Sequence, residues 1–384
     1  MNYRTLGKTG IKVSEIGLGS EGYVNQSEEH SLELIQAAID NGINYFDLYN
    51  SEPYIRAALG KAMKGRRDKF VLQGHLCSAW LDGQYKRTRD MEQVKAACHD
   101  LFELLDSDYV DIGMIHYVDE QKDFDQVFGG EVLQYAKQLK AEGKIRHIGM
   151  STHNPKVALQ AAKSGDIEVM MLSVNPAYDM LPSDEDVNNL FEESTYSQKS
   201  ALSNIDPERE DLYTYCETNG IALTVMKPYA GGALLDAKES PFGVAMSVHQ
   251  CLHYCLTRPA VATVLSGAHN KEQLIEAAAY CDAPEEKKEY ATILASAPAH
   301  SFSDKCMYCG HCAPCTVGID IASVNKFADL CEAQGMVPET VREHYAALEV
   351  HASECVSCGV CETNCPFGVK IIEHMEKAAE IFGN

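Results

Sequence analysis

Hydrophobic and polar residues follow two alternating patterns along the first 282 residues of the chain. Short, mostly apolar runs are typical of buried β-strands, and longer segments with apolar residues at helical spacing are typical of amphipathic helices. The short runs predict strands over residues 15–19, 44–47, 70–74, 111–116, 147–151, 170–174, 222–227 and 262–266. Helices are predicted between them, including 27–41, 91–105, 130–142, 155–164, 207–219 and 271–280. Eight strands that alternate with helices predict an α/β fold, a (β/α)8 TIM barrel.

Three stretches interrupt this alternation. Residues 1–13, with a turn at Lys8-Thr9-Gly10, predict a hairpin that closes the bottom of the barrel. Residues 176–206 are polar and acidic, and so long an insertion is equally typical of a lid over a site and of a solvated surface loop. Residues 283–300 predict a linker helix, which separates a barrel domain over residues 1–282 from a smaller domain over residues 301–384.

The chain is strongly acidic. Its 384 residues include 33 Lys and Arg against 56 Asp and Glu, a formal net charge of −23. This excess of negative charge argues against nucleic acid or an anionic membrane as the main partner. The sequence has no basic and apolar leader after Met1 and no apolar run of about 18 residues. We therefore expect a cytoplasmic protein without a membrane-spanning segment.

The 15 cysteines need an explanation other than disulfide bonds, which are rare in the cytoplasm. Eight of them form two tight groups near the carboxyl end. The second group has the spacing C-x2-C-x2-C-x3-C-P of bacterial ferredoxins, and the first has one residue fewer before its fourth cysteine. Three closely spaced cysteines can hold three corners of a [4Fe–4S] cluster, whereas the fourth lies too far along the chain and reaches the other cluster.

This spacing predicts two [4Fe–4S] clusters in a small, α-rich, ferredoxin-like domain. One cluster is expected to bind Cys306, Cys309, Cys312 and Cys365, and the other Cys355, Cys358, Cys361 and Cys315. Structural zinc is the alternative, although zinc sites usually consist of separated C-x2-C pairs. The other cysteines are expected to be small buried hydrophobic residues.

Short motifs at the predicted turns and strand ends carry a further signal. They are Tyr3-Arg-Thr-Leu-Gly-Lys-Thr-Gly10, Gly42-Ile-Asn-Tyr-Phe-Asp47, Ile115-His116, Gly143-Lys-Ile-Arg-His-Ile-Gly-Met-Ser151, Met226-Lys-Pro-Tyr-Ala-Gly-Gly232 and Ser266-Gly-Ala-His269. Their order resembles that of the aldo-keto reductase family. With the cysteine-rich tail, the whole chain resembles the anaerobe-type branch of that family, which carries a ferredoxin-like domain.

The resemblance implies hydride transfer from NAD(P)H to a carbonyl group while a tyrosine donates the proton. In the family, a lysine paired with an aspartate lowers the pKa of this tyrosine, and a histidine orients the substrate. The aspartate corresponds to Asp47 and the histidine to His116. The tyrosine position holds Glu52, and the lysine position at the end of the third strand holds His75.

The carboxyl ends of barrel strands converge, so the side chains found there should meet in one pocket. We predict a proton relay of Asp47, Tyr49, His75 and His116, because imidazole titrates near neutral pH. Asp47, His75 and His116 also match a metal site of two histidines and one carboxylate, and each histidine alone is also compatible with a hydrogen-bonded pocket residue.

The phosphates of the cofactor are expected after the seventh and eighth strands, where loop amides and a helix N-terminus supply donors. Ser151 and Asn175 are expected to hold an amide edge, and Tyr229 to stack on a nicotinamide or a flavin ring. The predicted cofactor-binding residues are Ser151, Asn175, Lys227, Tyr229, Ser266, Gly267, His269 and Gln273. The arginine that family members place near His269 for a 2′-phosphate is absent.

One loop concentrates cations and aromatic residues in this acidic chain. It spans residues 78–89 after the third strand, and its predicted substrate-binding residues are Trp80, Tyr85, Lys86 and Arg87. Such a loop suits an anionic or aromatic substrate or a cofactor phosphate, and it is also typical of a solvated surface.

These observations predict an iron–sulfur oxidoreductase that reduces a small carbonyl or activated unsaturated compound with NAD(P)H. The first alternative is a reductase that uses FMN or FAD, because a flavin converts the single electrons of clusters into two-electron chemistry. The second is an electron-transfer protein whose barrel is a docking scaffold. A ferredoxin- or flavodoxin-type electron donor is the expected protein partner.

Overall fold

A closed barrel of parallel strands forms the larger part of the molecule. The computed structural model describes residues 1–183, 185, 189, 195–196 and 202–383. Its strands are β1 (Tyr3–Thr5), β2 (Lys12–Ser14), β3 (Ile16–Gly19), β4 (Tyr45–Leu48), β5 (Val71–His75), β6 (Ser78–Leu81), β7 (Gln84–Arg87), β8 (Val110–Ile115), β9 (Ile145–Thr152), β10 (Val169–Ser173), β11 (Ala222–Met226) and β12 (Val261–Leu265). Among these described strands, β3–β5 and β8–β12 close the barrel, with β12 paired to β3. The predicted eight-stranded barrel is confirmed, and each predicted strand overlaps an observed one.

The barrel strands are buried on both faces, since side chains fill the interior and helices cover the outside. Tyr45, Ile112 and Met171 belong to the interior cluster of apolar side chains. Leu6 and Val13, from the region of the amino-terminal hairpin β1–β2, join this cluster. The predicted hairpin therefore closes one end of the barrel, and the other end, where the strands finish, holds the cavity described below.

The helices begin and end at residues that the sequence pattern marks. Ser27 caps α1, because its Oγ accepts a hydrogen bond from the backbone N of His30 at 3.1 Å. Gly220 ends α8 with φ 65°, a backbone conformation that glycine adopts without strain. The helices are α1 (Glu28–Asp40), α2 (Pro53–Met63), α3 (Met91–Leu105), α4 (Gln121–Phe128), α5 (Glu131–Ala141), α6 (Pro155–Lys163), α7 (Pro176–Asp179), α8 (Pro207–Asn219), α9 (Val248–Thr257), α10 (Lys271–Ala278), α11 (Glu285–Lys288), α12 (Ala291–Ser296), α13 (Ile321–Gln334), α14 (Glu339–Ala346), α15 (Val360–Asn364) and α16 (Ile371–Phe382).

Two predicted segments differ from the observed structure, and a third is only partly described. Residues 78–89 were expected to form a loop, but β6 and β7 pair as an antiparallel hairpin. The predicted linker helix over 283–300 is two short helices, α11 and α12. The insertion 176–206 begins with α7, but residues 184, 186–188, 190–194 and 197–201 lie outside the described part, so its predicted role as a lid stays a prediction.

The carboxyl-terminal segment packs against the outside of the barrel. α13 packs on α16 and also contacts α8. The guanidinium of Arg258 is buried and donates to the carbonyl of Met307, and the hydroxyl of Tyr290 donates to the same carbonyl at 2.8 Å. Lys326 pairs with Glu217 of α8 at 3.2 Å. Among the described helices, none is both long and apolar enough to cross a membrane.

Candidate active site

A cavity of about 710 Å³ lies at the carboxyl ends of the barrel strands. Gly19, Asp47, His75, Ser151 and Leu265 line it from five strands, because the geometry of a barrel brings these strand ends to one place. The predicted site residues that line the cavity are Asp47, Tyr49, His75, Tyr85, His116, Ser151, Lys227, Tyr229, Ser266, Gly267, His269 and Gln273.

Four side chains form a continuous hydrogen-bonded chain along the cavity, which we call the histidine chain: Asp47, His75, His116 and Tyr85. The Nε2 of His75 lies 2.9 Å from the Oδ1 of Asp47. The Nδ1 of His75 lies 2.6 Å from the Nδ1 of His116. The Nε2 of His116 bonds to the hydroxyl of Tyr85. A proton can therefore pass between a buried carboxylate and a phenol that lines the cavity.

Gln73 orients the inner end of the histidine chain. Its Nε2 donates to the Oδ1 of Asp47 at 2.5 Å, and its Oε1 accepts bonds from Tyr45 and Thr224. Gln73 is fully buried in β5. Gln73 was not among the site residues predicted from the sequence, although a polar residue inside an otherwise apolar strand indicates a buried hydrogen-bond partner.

The surroundings keep His116 and Tyr85 uncharged near neutral pH. Burial, and next the neighbouring His75 and Arg89, hold the pKa of His116 well below its usual range. Burial raises the pKa of Tyr85 to about 12, although Arg87 acts in the opposite direction. Burial and a 2.5 Å hydrogen bond to Glu21 raise the pKa of Tyr49 far above its usual value. Tyr49 thus donates to Glu21, and Tyr85 bonds to His116.

The alternative of a metal bound by Asp47, His75 and His116 does not fit this geometry. The two histidines turn ring nitrogens towards each other, so the three side chains form a line and do not converge on one point. Within the described residues, the one group of His, Cys, Asp and Glu with ligand atoms within 4.8 Å of one another is His99, Asp100 and Glu103, exposed on α3.

The opposite part of the cavity is built largely from backbone. Gly231, Gly232 and Gly267 line it with φ values of 70°, 106° and 57°. The Oε1 of Gln273 accepts a hydrogen bond from the backbone N of His269 at 2.8 Å, just before α10 begins. Glycines without side chains here leave backbone amides accessible, as phosphate-binding loops require.

One lysine contributes charge to the cavity wall. Lys227 is the one lysine or arginine among the described residues that line the cavity, and burial lowers its pKa. Glu276 lines the same region. None of the described residues that line the cavity is an arginine that could bind a 2′-phosphate.

Comparison with known proteins identifies the family. A model of the Aldo/keto reductase family matches residues 15–248, which is more than half of the chain. The chain belongs to the aldo/keto reductase family. The uncharacterized oxidoreductase YqkF of Bacillus subtilis is 28% identical over 294 residues, 72% of this chain and 90% of the relative. L-galactose dehydrogenase of Arabidopsis thaliana is 33% identical over 156 residues, 38% of this chain and 47% of the relative.

The solved structure of aldo-keto reductase AKR11C1 from Bacillus halodurans in its holo form has a similar fold. Its TM-score is 0.57 at 23% identity, and the match covers 75% of this chain and 94% of that protein. As a member of the aldo/keto reductase family, the present protein is an oxidoreductase with a TIM barrel.

This aldo/keto reductase places a tyrosine in its site by an unexpected route. Glu52, at the family's tyrosine position, does not line the cavity and precedes α2. Tyr85 was predicted to bind substrate from a loop, but the hairpin β6–β7 brings its hydroxyl to His116. The ring of Tyr49 lies edge-on to that of Tyr85, with centroids 5.8 Å apart.

The other predicted residues of that loop lie outside the cavity lining. Lys86 pairs with Asp82 at the tip of the hairpin at 2.7 Å. Arg87 donates to the carbonyl of Tyr117 at 2.7 Å and pairs with Asp123. Trp80 is the cross-strand partner of Tyr85 in the hairpin, but it is not among the described residues that line the cavity. Only Tyr85 of the four predicted substrate-loop residues is among the described residues that line the cavity.

Asn175 makes structural contacts, and its predicted contact with a cofactor stays a prediction. Its Oδ1 accepts from the backbone N of Tyr178 and caps α7, and its Nδ2 donates to the carbonyl of Lys227 at 2.9 Å. The side chain is fully buried and does not line the cavity. It therefore fastens the ends of β10 and β11 to each other.

The cysteines of the tail lie in two groups. Burial raises the pKa of Cys312 to about 12, and the charges of Cys306, Cys309 and Cys365 act in the same direction. A second, small and mostly apolar cavity is lined by the other four, Cys315, Cys355, Cys358 and Cys361. The predicted binding of one cluster by each set of four cysteines stays a prediction.

The two cysteine loops share one backbone conformation. Tyr308 and Ser357, each just before a middle cysteine, have φ values of 51° and 52°. Gly310 and Gly359, each just after it, have φ values of 79° and 76°. Left-handed residues on both sides of a cysteine turn successive backbone N–H groups towards one side of the loop, an arrangement that binds anionic groups.

Proposed function

We propose that this aldo/keto reductase reduces the carbonyl group, or an activated double bond, of a small organic compound with NAD(P)H, and that its tail carries two [4Fe–4S] clusters. The observation that carries the proposal is the histidine chain, whose Tyr85 end lines the cavity of about 710 Å³. The chain Asp47–His75–His116–Tyr85 joins a carboxylate to a phenol through two imidazoles, the groups used most for general acid–base catalysis.

The glycine-lined part of the cavity suits the phosphates of a dinucleotide. Gly232 and Gly267 are open on the side where a side chain would project. Lys227 adds a positive charge, and Ser266 and Gln273 add polar groups beside α10. NAD(P)H bound there would supply the hydride for the carbonyl carbon.

Tyr85 supplies the proton in this proposal. As the substrate oxygen takes the hydroxyl proton of Tyr85, His116 donates from Nε2 to the phenol oxygen. His75, as an imidazolium whose Nε2–H bonds to the carboxylate of Asp47, donates from Nδ1 to the Nδ1 of His116. The hydride and this one proton convert C=O to CH–OH, and His75 is reprotonated from solvent in the next cycle.

The histidine chain replaces the lysine that other family members use. A free phenolate at Tyr85 would be costly, because burial raises its pKa to about 12. When each proton moves by one hydrogen bond, Tyr85 gives up one proton as it receives another. No phenolate then has to form, so the absence of the lysine is compensated by geometry.

The cysteine groups suit iron–sulfur clusters better than zinc. A zinc ion binds thiolates at about 2.3 Å, which requires sulfur atoms close together. Among the described residues, no three cysteines have their sulfur atoms within 4.8 Å of one another. The Nδ2 of Asn325 donates to the Sγ of Cys306 at 3.4 Å, as groups that surround cluster sulfurs do. The clusters would supply single electrons, held by the two sets of four cysteines.

The second cysteine group suits a protein electron donor of the ferredoxin or flavodoxin type. Cys358 is exposed, and beside it Val356 and Val360 are 61% and 41% exposed. The first group is turned towards the barrel, where Arg258 and Tyr290 bond to Met307. We propose that electrons enter or leave at the exposed group and pass through the inner one.

A flavin is the second candidate cofactor, and a specific observation favours it. Lys227 is the one lysine or arginine among the described lining residues, and Glu276 adds a carboxylate to the same lining, so little positive charge is available for a 2′-phosphate. A flavin needs fewer phosphate contacts and would convert the single electrons of the clusters into two-electron reduction.

The test uses protein purified without oxygen. Iron and sulfide are measured first, and about eight of each per chain are expected. The protein is then mixed with aldehydes and NADPH that carries deuterium at C4 of the nicotinamide. Deuterium on the alcohol carbon would support hydride transfer from the nicotinamide. Release of FMN or FAD on denaturation, without deuterium transfer, would overturn the nicotinamide proposal in favour of flavin.

A further inference from the structure

A second histidine of the cavity wall is held by a carboxylate. His153 follows β9, and its Nδ1 lies 2.9 Å from the Oδ2 of Asp119. The residue is 8% exposed and lines the cavity. Its Nε2, on the opposite side of the ring from Asp119, is buried and has no hydrogen-bond partner among the described residues. Nothing in the histidine chain uses this pair.

Asp119 is fixed as a carboxylate. Its Oδ1 accepts from the hydroxyl of Thr152 at 2.8 Å and from the backbone N of His153 at 2.6 Å. Burial acts to raise the pKa of Asp119, but the bonds from His153 and Thr152 outweigh it and lower the pKa. A charged carboxylate at Nδ1 fixes the ring orientation, and a ring that carries a proton on both nitrogens then presents its Nε2–H as a donor.

His153 lies beside the histidine chain. Its ring packs edge-on against Tyr117, with centroids 5.2 Å apart, and Tyr117 in turn lies 6.0 Å from the ring of His116. Tyr117 also lines the cavity. A substrate whose carbonyl oxygen meets Tyr85 therefore has this second donor on the same wall.

We propose that His153, held by Asp119, binds a carboxylate of the substrate, so that the substrate is an oxo acid. This inference rests on the proposed function, because it names the substrate class of the same cavity. A buried nitrogen without a partner is costly to the empty site and is satisfied when a ligand oxygen reaches it. A site built to hydrogen-bond a ligand rejects the analogue that lacks the bonding group.

The test compares a charged and a neutral probe that the enzyme cannot reduce. Oxamate has the carboxylate beside a carbonyl group, and oxamide replaces the carboxylate by a neutral amide. Binding of each to the complete protein, purified without oxygen, is measured by calorimetry with and without NADPH. We expect oxamate to bind at least about tenfold more tightly than oxamide.

The variants assign this preference to the His153–Asp119 pair. His153→Gln is expected to reduce the preference to about twofold or less, and Asp119→Asn to reduce it in part. His147→Gln is the matched control: His147 lies on β9, the strand that His153 follows, and its Nδ1 pairs with Glu168 at 2.9 Å, but it does not line the cavity. Its preference should equal that of the wild type. The unfolding midpoints of all variants show whether each is folded. If His153→Gln is unfolded, the oxamate preference of Asp119→Asn tests the inference in its place.

The outcomes separate this inference from the proposed function. Equal binding of oxamate and oxamide by the wild type, or a preference that survives both His153→Gln and Asp119→Asn, would overturn the inference. A preference that depends on His153, together with no deuterium transfer from NADPH to pyruvate, supports the carboxylate site and overturns the nicotinamide reductase. Deuterium transfer to neutral aldehydes, together with equal binding of oxamate and oxamide, supports the nicotinamide reductase and overturns the carboxylate site.

Discussion

The cavity of the barrel and the cysteine-rich tail are built in different ways. In the cavity, side chains at strand ends bond to one another, as in the links from Asp47 to His75 and from His75 to His116. In the tail, the chemically active groups are thiols on short loops, and the helices α13 and α16 support them from outside. The barrel therefore holds its site by its own packing, whereas the tail would depend on the group that its cysteines bind.

Removal of the proposed iron–sulfur clusters should have the largest effect and should separate the two regions. We expect chelation, or the substitution Cys309→Ser, to unfold the tail, because binding to metal supplies folding free energy in small metal-binding domains. The barrel, with its own core, should stay folded. Limited proteolysis followed by mass spectrometry should find cleavage after about residue 300 and a resistant barrel fragment.

A matched variant makes this test specific. Cys331→Ser changes a buried cysteine of α13 that belongs to neither cysteine group. It should keep its iron, and any loss of stability should come from packing alone. If the tail stays resistant to protease after complete removal of iron, its fold does not depend on the group that its cysteines bind.

Loss of the hydroxyl of Tyr85 should have the next largest effect, confined to the cavity. We expect Tyr85→Phe to lower kcat by about 10²–10⁴-fold, the usual contribution of a general acid, with unchanged iron content. The measurement is steady-state reduction of an aldehyde with NADPH, together with the unfolding midpoint.

Tyr49→Phe distinguishes the observed histidine chain from the relay predicted from sequence. The hydroxyl of Tyr49 donates to Glu21 and not to His116, so we expect its loss to lower kcat by less than about tenfold. A larger effect of Tyr49→Phe than of Tyr85→Phe would restore Tyr49 as the proton donor and remove Tyr85.

The buried contact between the two regions should have an intermediate effect. Arg258 donates to the carbonyl of Met307 and to the hydroxyl of Tyr290. We expect Arg258→Met to lower the free energy of unfolding of the tail by about 1–3 kcal/mol, the cost of losing a partner of buried hydrogen bonds. Arg258→Lys keeps the charge but not the planar fork and should restore only part of it. Urea unfolding followed by the visible absorbance of the tail measures both variants.

The partly exposed contact should have the smallest effect. Lys326 pairs with Glu217 at 3.2 Å, and their side chains are 25% and 21% exposed. We expect Lys326→Met to cost about 0–1 kcal/mol, as is usual for such pairs. If Lys326→Met lowers the free energy of unfolding more than Arg258→Met does in the same urea experiment, the ion pair and not the buried hydrogen bonds of Arg258 is the stronger contact between barrel and tail.

Local patterns explain which predictions the structure confirmed. The strands and the helix caps follow from periodicity and from residues such as Ser27 and Gly220, whose effects reach only a few neighbours. The assignment of eight cysteines to two cluster-binding sets rests on spacing and stays a prediction. The hairpin β6–β7 was not predicted, because its mix of cations and aromatic residues lacks clear alternation.

Contacts between distant residues explain what the sequence did not reveal. Tyr85 meets His116 across 31 positions, and Asp119 meets His153 across 34 positions. Gln73 bonds to Thr224, which lies 151 positions away. None of these pairs has a periodic signature, so each depends on which strand ends the closed barrel brings together.

The sequence alone thus determined the barrel and the identity of the residues at its strand ends. Hydrophobic periodicity and short loops act locally and can be read along the chain. The tertiary structure decided that Tyr85, and not Tyr49, bonds to His116, and that Asp119 holds His153 on the cavity wall. Closure of the barrel and the fold of the hairpin β6–β7 are non-local events, which is the physical reason for the difference.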